Sequence, residues 1–172
     1  MKTISYYNSP IGKILLASDE QGLVGLWLDT DRYYGDILAK NYSEGENEYL
    51  VSAKKWLDIY FQGKEPTFTP QLHFTGTDFQ KRVWQALLKI PYGTTITYKK
   101  IAVQVAKDKE HLPIRAIGGA VGRNHICIIV PCHRVVGVNH NLTGYAAGID
   151  KKIKLLRLEG VDISQFKNHI NH

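Results

Sequence analysis

The sequence predicts an α/β chain of the α+β kind in two parts. Residues 1–75 should form an N-terminal three-stranded antiparallel sheet with one helix and a linker. Residues 76–172 should form a mostly helical C-terminal domain containing a helix-turn-helix. Three observations lead there. Apolar runs separated by turn residues fill the first third, helical spacing takes over after residue 76, and the charge divides at the same point. Residues 1–75 hold 7 Lys and Arg against 10 Asp and Glu, whereas residues 76–172 hold 15 against 6.

The elements follow in order. Ile4 to Tyr7, Lys13 to Ala17 and Leu23 to Leu28 are strand-like, separated by the turn signals Asn8-Ser9-Pro10 and Asp19-Glu20-Gln21-Gly22. Residues 30–45 give no clear element. Glu46 to Phe61 has helical spacing through Leu50, Ala53, Leu57 and Tyr60, and Gly63 stops it. Gly63 to Pro70 reads as the linker. Thr77 and Gln80 then form a capping-box pattern for a helix lined by Phe79, Val83, Leu87 and Ile90, which Pro91 ends. After the turn Pro91-Tyr92-Gly93 and the stretch Thr94 to Tyr98, a short helix turns Ile101, Ala102 and Val105 inward. A polar loop from Asp108 to Leu112 leads to Pro113, placed at the first turn of a helix through Arg123. Two short helices so joined suggest a helix-turn-helix.

The second of these helices is unusual in composition. Ala116, Gly118, Gly119, Ala120 and Gly122 leave it nearly bald on one side. Each interior glycine costs roughly 1 kcal/mol relative to alanine, so a close approach of another backbone, from protein or from DNA, should compensate. Arg115 at its start favours DNA. Ile126 to Val130 reads as a buried strand, Val135 to Tyr145 as a loop, and Ile149 to Leu158 as a helix that Gly160 ends after Glu159. The tail from Phe166 to His172 is expected to be disordered.

With 172 residues, 44% of them hydrophobic, the chain suits one ordinary domain or two small ones. Two cysteines make no disulfide framework, and no signal or long apolar segment is present, which predicts a reducing cytoplasmic compartment and no membrane partner. The basic second part suits a polyanion such as nucleic acid, or else a solvated basic surface. Lys99, Lys100, Lys151, Lys152 and Lys154 read as such a solvated face.

The chemistry is sought at Pro131-Cys132-His133-Arg134. Thiolate is a strong nucleophile, and an adjacent imidazole can take the thiol proton near neutral pH. The proline turns the chain, so a buried run before it would deliver Cys132 to a pocket edge.

The C-terminal half resembles the O6-alkylguanine-DNA alkyltransferases. The resemblance runs through Thr77-Asp78-Phe79-Gln80, Val83-Trp84, Ile90-Pro91-Tyr92-Gly93, Thr97-Tyr98, Arg115 to Ala120, Asn124, Pro131 to Val136, Gly144-Tyr145 and Leu155 to Gly160. Tyr6 to Gly12 also looks like the start of that family's first domain, which has a ribonuclease-H-like fold.

The resemblance implies direct-reversal DNA repair. An alkyl group would pass from O6 of guanine, and also from O4 of thymine, onto Cys132, once per molecule. His133 would deprotonate Cys132 through a bridging water, Glu159 would orient His133, and Asn124 would hold the turn. Tyr98 would hydrogen-bond the extruded guanine and help protonate it. Val135 and Cys132 backbone groups would meet the base, with Tyr145, Ala146 and Ala147 as the pocket wall. Arg115 would fill the vacated base stack. Ala116, Gly119, Ala120 and Arg123 would meet double-stranded DNA in the minor groove, with the protein acting as a monomer. Flipping is physically required, because a paired O6 cannot be reached in line by a protein thiol.

Three features depart from the family pattern. His125 and Cys127 stand where relatives commonly have proline, and Ala146-Ala147 stands where serine or glycine is frequent. The N-terminal cysteines that hold zinc in some relatives are absent, so neither that metal nor another cofactor is expected. Three other readings compete: a metal site from His125, Cys127, Cys132 and His133, a cysteine hydrolase, and a lesion-binding relative without transfer. The spacing, the basic helix-turn-helix and the presence of Cys132 respectively argue against them.

Overall fold

The computed structural model describes residues 1–168. The chain divides into two compact units. The first comprises Met1–Thr75 together with His125–Cys127, and the second comprises Gly76–Asn124 with Ile128 onward.

In the first unit, β1 (Lys2–Ser9), β2 (Gly12–Ser18) and β3 (Leu23–Leu28) form the expected antiparallel meander. Ser9 closes the first turn, with its Oγ donating to the Gly12 carbonyl at 2.6 Å. Asp19 closes the second by accepting from the Gln21 and Gly22 amides. The sheet has a fourth strand that the sequence does not announce. This is β4 (Tyr42–Glu44), which runs parallel to β1, so the sheet is mixed, in the order β3-β2-β1-β4. Its three residues are exposed and carry no apolar alternation, and parallel pairing needs no hairpin turn that local signals could reveal.

Every residue of β3 is buried, as expected for a strand covered on both faces. On one face Trp27 packs with Ile4, Leu15, Ala17, Val24 and Leu38. Gly25 makes room for that indole, since a Cβ there would lie 2.0 Å from the Trp27 ring. Helix α1 (Glu48–Tyr60) packs on the meander strands and buries Leu50, Ala53, Trp56, Leu57 and Tyr60. Asn47 caps it by accepting from the Tyr49 and Leu50 amides.

Two segments pair with the free side of β3. Residues 71–73 do so through Leu23 N to Gln71 O and His73 N to Leu23 O, both 2.8 Å. His125–Cys127 does so through Leu26 N to His125 O at 2.8 Å and Cys127 N to Leu26 O at 3.0 Å. The expected strand from Ile126 to Val130 is thereby corrected. Only Ile126 bridges, and the chain then turns through Ile128 at φ 71°. A five-residue apolar run does not distinguish a buried strand from a buried turn.

The second unit opens with α2 (Asp78–Leu87), whose Thr77–Gln80 capping box is formed in both directions. Then come β5 (Ile96–Thr97), α3 (Tyr98–Val105, capped by Thr97) and α4 (Ile114–Gly122). Pro113 sits at the N-cap of α4, one position outside the expected first turn. Helices α2, α3 and α4 pack together, and the Trp84 indole N–H donates to the Ala120 carbonyl at 2.9 Å.

The stretch expected to be a loop holds two short strands instead. These are β6 (Val135–Val136), parallel to β5, and β7 (Asn141–Leu142). Helix α5 (Ile149–Leu158) ends at Glu159, and Gly160 follows at φ +85°. Part of the tail expected to be disordered is ordered. Ile163–Gln165 forms a 3-10 turn, Phe166 packs beside Val136, Leu142 and Leu156, and β8 (Lys167–Asn168) pairs with β7. Residues 169–172 of that tail lie outside the described residues. No helix among the described residues is long and apolar enough to cross a membrane.

Candidate active site

The site is built where α4 ends. Asn124 donates from Nδ2 to the Val130 carbonyl at 2.8 Å and so closes the loop over residues 124–130. Pro131 then starts a single 3-10 turn, Cys132–Arg134. All three side chains of that turn are buried.

Glu159, at the C-terminal cap of α5, gathers this turn. Its Oε2 lies 2.6 Å from His133 Nε2, and its Oε1 accepts from Arg134 Nε at 2.8 Å and from the Gly93 amide at 3.0 Å. Arg134 reaches further, donating from Nη1 to the Ile90 carbonyl at 2.7 Å and lying over the Tyr92 ring. The turn after α2 is thus tied to the Cys132–Arg134 turn, and Gly93, at φ +75°, is the residue able to make that turn.

The charges in this cluster have an order. Burial alone would raise the Glu159 carboxyl, but its hydrogen bonds and the charges beside it hold it well below the usual carboxylate range. Burial pushes His133 the other way, below its ordinary 6.5, against the pull of Glu159. Arg134 is therefore the permanent counter-charge of Glu159, and His133 stays a neutral imidazole able to accept a proton.

Lys152 corrects the expectation of a wholly solvated lysine face. It is fully buried, and its Nζ donates to the carbonyls of Val135 at 2.7 Å and Thr143 at 3.1 Å. Burial pulls it down to about 8, while negative charge on Cys132 acts against that fall. Lys152 lies seven residues before Glu159 and at i−3 and i−4 to the buried Leu155 and Leu156. That spacing on one helix face was the signal for it. Arg134 was likewise not given a role from sequence. Tyr98 opens α3 half-buried, and burial and then charge on Cys132 raise its phenol, with the Thr143 side chain working the other way.

The remaining candidates divide by exposure. Val135 and Ala147 are buried, and Tyr145 and Ala146 are half-buried. On α4, Arg115, Ala116 and Gly119 are exposed, as is Arg123 at its end, but Ala120 is 4% exposed and lies inward with Ile117 and Val121. Ala120 therefore leaves the set of expected DNA contacts, because the side that carries it packs under the Trp84 indole. A Cβ added at Gly118, Gly119 or Gly122 would meet nothing within 4 Å, so internal packing does not explain those glycines.

His125 and Cys127 belong to the first unit. There His125 Nδ1 lies 3.7 Å from Asp36 Oδ1, and Cys127 Sγ donates to Asp31 Oδ2 at 3.4 Å. Among the described residues, the side chains of metal-ligand type that gather together are Asp108, Glu110 and His111, all exposed in the loop before α4.

Two family models match the chain. The ribonuclease-like domain of 6-O-methylguanine DNA methyltransferase matches residues 3–74, and the DNA binding domain of the same family matches residues 78–161. The methylated-DNA–protein-cysteine methyltransferase of Methanosarcina barkeri is 47% identical over 157 residues, covering 90% of this chain and 96% of that protein. The constitutive one of Bacillus subtilis is 38% identical over 168 residues, covering 94% and 99%. The crystal structure of Mycobacterium tuberculosis OGT in complex with DNA aligns with a TM-score of 0.80 at 38% identity, over 98% of this chain and 97% of that one.

Proposed function

The chain belongs to the O6-alkylguanine-DNA alkyltransferase family, and from that premise we propose that Cys132 is the thiol through which it acts. The protein is a direct-reversal methyltransferase that moves an alkyl group from O6 of guanine in DNA to a cysteine. The observation that carries the assignment of Cys132 is the buried His133–Glu159–Arg134 cluster, which follows the thiol directly in the chain.

Glu159 engages Nε2, so the thiol proton passes to Nδ1 of the neutral His133 through a bridging water. The sulfur attacks the alkyl carbon in line, the S–C bond forms, and the C–O6 electron pair leaves with the base. Tyr98 supplies the proton that the departing guanine takes up. Its raised phenol keeps that proton in the free protein and regains one from solvent afterwards. The product thioether is a poor leaving group, so each molecule acts once. The same displacement applies to O4-alkylthymine.

The exposed, glycine-opened side of α4 is the face that approaches the minor groove, with Arg115 entering the stack behind the flipped base and Arg123 contacting phosphate. Val135, Tyr145, Ala146 and Ala147 wall the base pocket, and Asn124 holds the loop that carries the nucleophile. The protein works as a monomer in the cytoplasm, where a nucleophilic thiol stays reduced. Intact-mass and peptide analysis after mixing with duplex DNA containing O6-methylguanine tests this reading. One added methyl, located on Cys132, is expected, and a methyl on Cys127 or no gain in mass overturns it.

A further inference from the structure

Ile128 is fully buried and stands at φ 71°, a left-handed conformation that a β-branched side chain rarely adopts. Such strain persists only where the surrounding structure over-determines it. Here the chain is held on both sides of the strained residue. After it, the Val130 carbonyl accepts from Asn124 Nδ2 at 2.8 Å. Before it, Cys127 is held twice. Its amide donates to the Leu26 carbonyl in β3 at 3.0 Å, and its Sγ donates to Asp31 Oδ2 at 3.4 Å. Asp31 is itself fixed, buried just past the end of β3. Its amide donates to the Leu28 carbonyl at 3.0 Å, and its Oδ1 accepts from the Tyr33 amide at 2.8 Å. One carboxylate oxygen thus serves its own turn, and the other grips a thiol five positions before Cys132.

We propose that Cys127 is a positioning residue for alkyl transfer: its amide and thiol, held by Leu26 and Asp31, keep Ile128 in its strained turn, from which residues 128–131 deliver Cys132. The inference rests on Cys132 being the acceptor. In-line displacement tolerates little misplacement of the attacking sulfur, so a slackened loop costs rate rather than DNA affinity. The role needs a hydrogen-bond donor on the side chain at position 127, not a thiol as such. A serine hydroxyl can donate to Asp31, whereas alanine cannot and takes one hydrogen bond from a buried carboxylate.

The test follows single-turnover transfer from an O6-methylguanine duplex over a range of DNA concentrations, with the methylated residue located by peptide mass. In Cys127→Ala the limiting rate should fall about tenfold, while the half-saturating DNA concentration stays at the wild-type value. Cys127→Ser should run near the wild-type rate. Adding Cys127→Ala to Asp31→Ala should cost little further, because the two changes remove the same hydrogen bond. A wild-type limiting rate in Cys127→Ala overturns the inference. So does a Cys127→Ser protein as slow as Cys127→Ala, or a full second loss in the double variant. A methyl found elsewhere than on Cys132 sinks the acceptor assignment instead. Hydrogen exchange of the wild-type chain tests the anchor without any substitution. The Cys127 amide should be protected as the β3 amides are, and exchange as fast as that of an exposed loop amide overturns the inference.

Discussion

The two units bury different things. In the first, the buried polar side chains are Ser5, Ser18 and Asp31, set among Trp27, the leucines of β2 and β3, and the inner face of α1. The second buries Asn124, His133, Arg134, Lys152 and Glu159, all but Asn124 ionisable, within one site. Buried charge is expensive and persists where its partners are complete. The first unit is therefore held mainly by apolar packing, while the second spends stability on a polar cluster at the Cys132–Arg134 turn. Each unit also has one buried cysteine. Cys127 donates to the Asp31 carboxylate, whereas Cys132 opens the buried turn whose next two side chains, His133 and Arg134, are held by Glu159.

The largest expected effect tests that contrast of cysteines. Cys132→Ser should abolish transfer in a single-turnover assay while leaving DNA affinity largely intact, and Cys127→Ser should retain transfer. Repair by the Cys132→Ser protein would end the distinction between the two thiols.

Glu159→Gln comes next. It leaves Arg134 buried without its counter-charge and His133 without its orienting carboxylate, so stability should drop by about 3–5 kcal/mol in denaturant melts. Loss of both His133 and Glu159 should slow transfer little more than loss of His133 alone, since the pair acts as a unit; additive losses would separate them. The wild-type pH dependence follows the same cluster. His133 is depressed below 6.5, so the unfolded chain binds the extra proton first, and stability falls as pH drops through about 6.5. Glu159 is depressed below 4.5, so its contribution is present above that value and is lost at more acid pH still. A melting temperature flat from pH 7 to pH 5 would contradict the His133 half of this.

Arg115→Ala should act on duplex DNA alone. Repair of a duplex slows because nothing fills the vacated stack, while reaction with free O6-benzylguanine, which needs no flipping, changes far less. The ratio of the two rates at one salt concentration is the measure, and a ratio equal to wild type demotes Arg115 to an ordinary contact.

The smallest effect is also the most pointed. Gly119→Ala puts a methyl into open space on a helix, so it should stabilise the fold by roughly 1 kcal/mol. The same methyl should weaken DNA binding if that face enters the minor groove. Gained stability with unchanged affinity would place the DNA elsewhere.

What lay within a few residues along the chain was readable from it. Strand β3 and helix α5 have the bounds expected for them, and the Thr77–Gln80 box is made as read, because apolar runs bounded by turn residues, helical spacing and caps are short-range effects. The motif around Cys132 pointed to its partners through resemblance, and Glu159 meets His133 at 2.6 Å across 26 positions. Pairings made at long range had no such trace. Strand β4 and the pairing of His125–Cys127 with β3 each depend on a partner far along the chain. Ala120 belongs to a bald stripe by composition and to the core by packing. Lys152 is one of several lysines in sequence. The carbonyls of Val135 and Thr143 make it a buried cation, and only the folded chain brings those two carbonyls together over it.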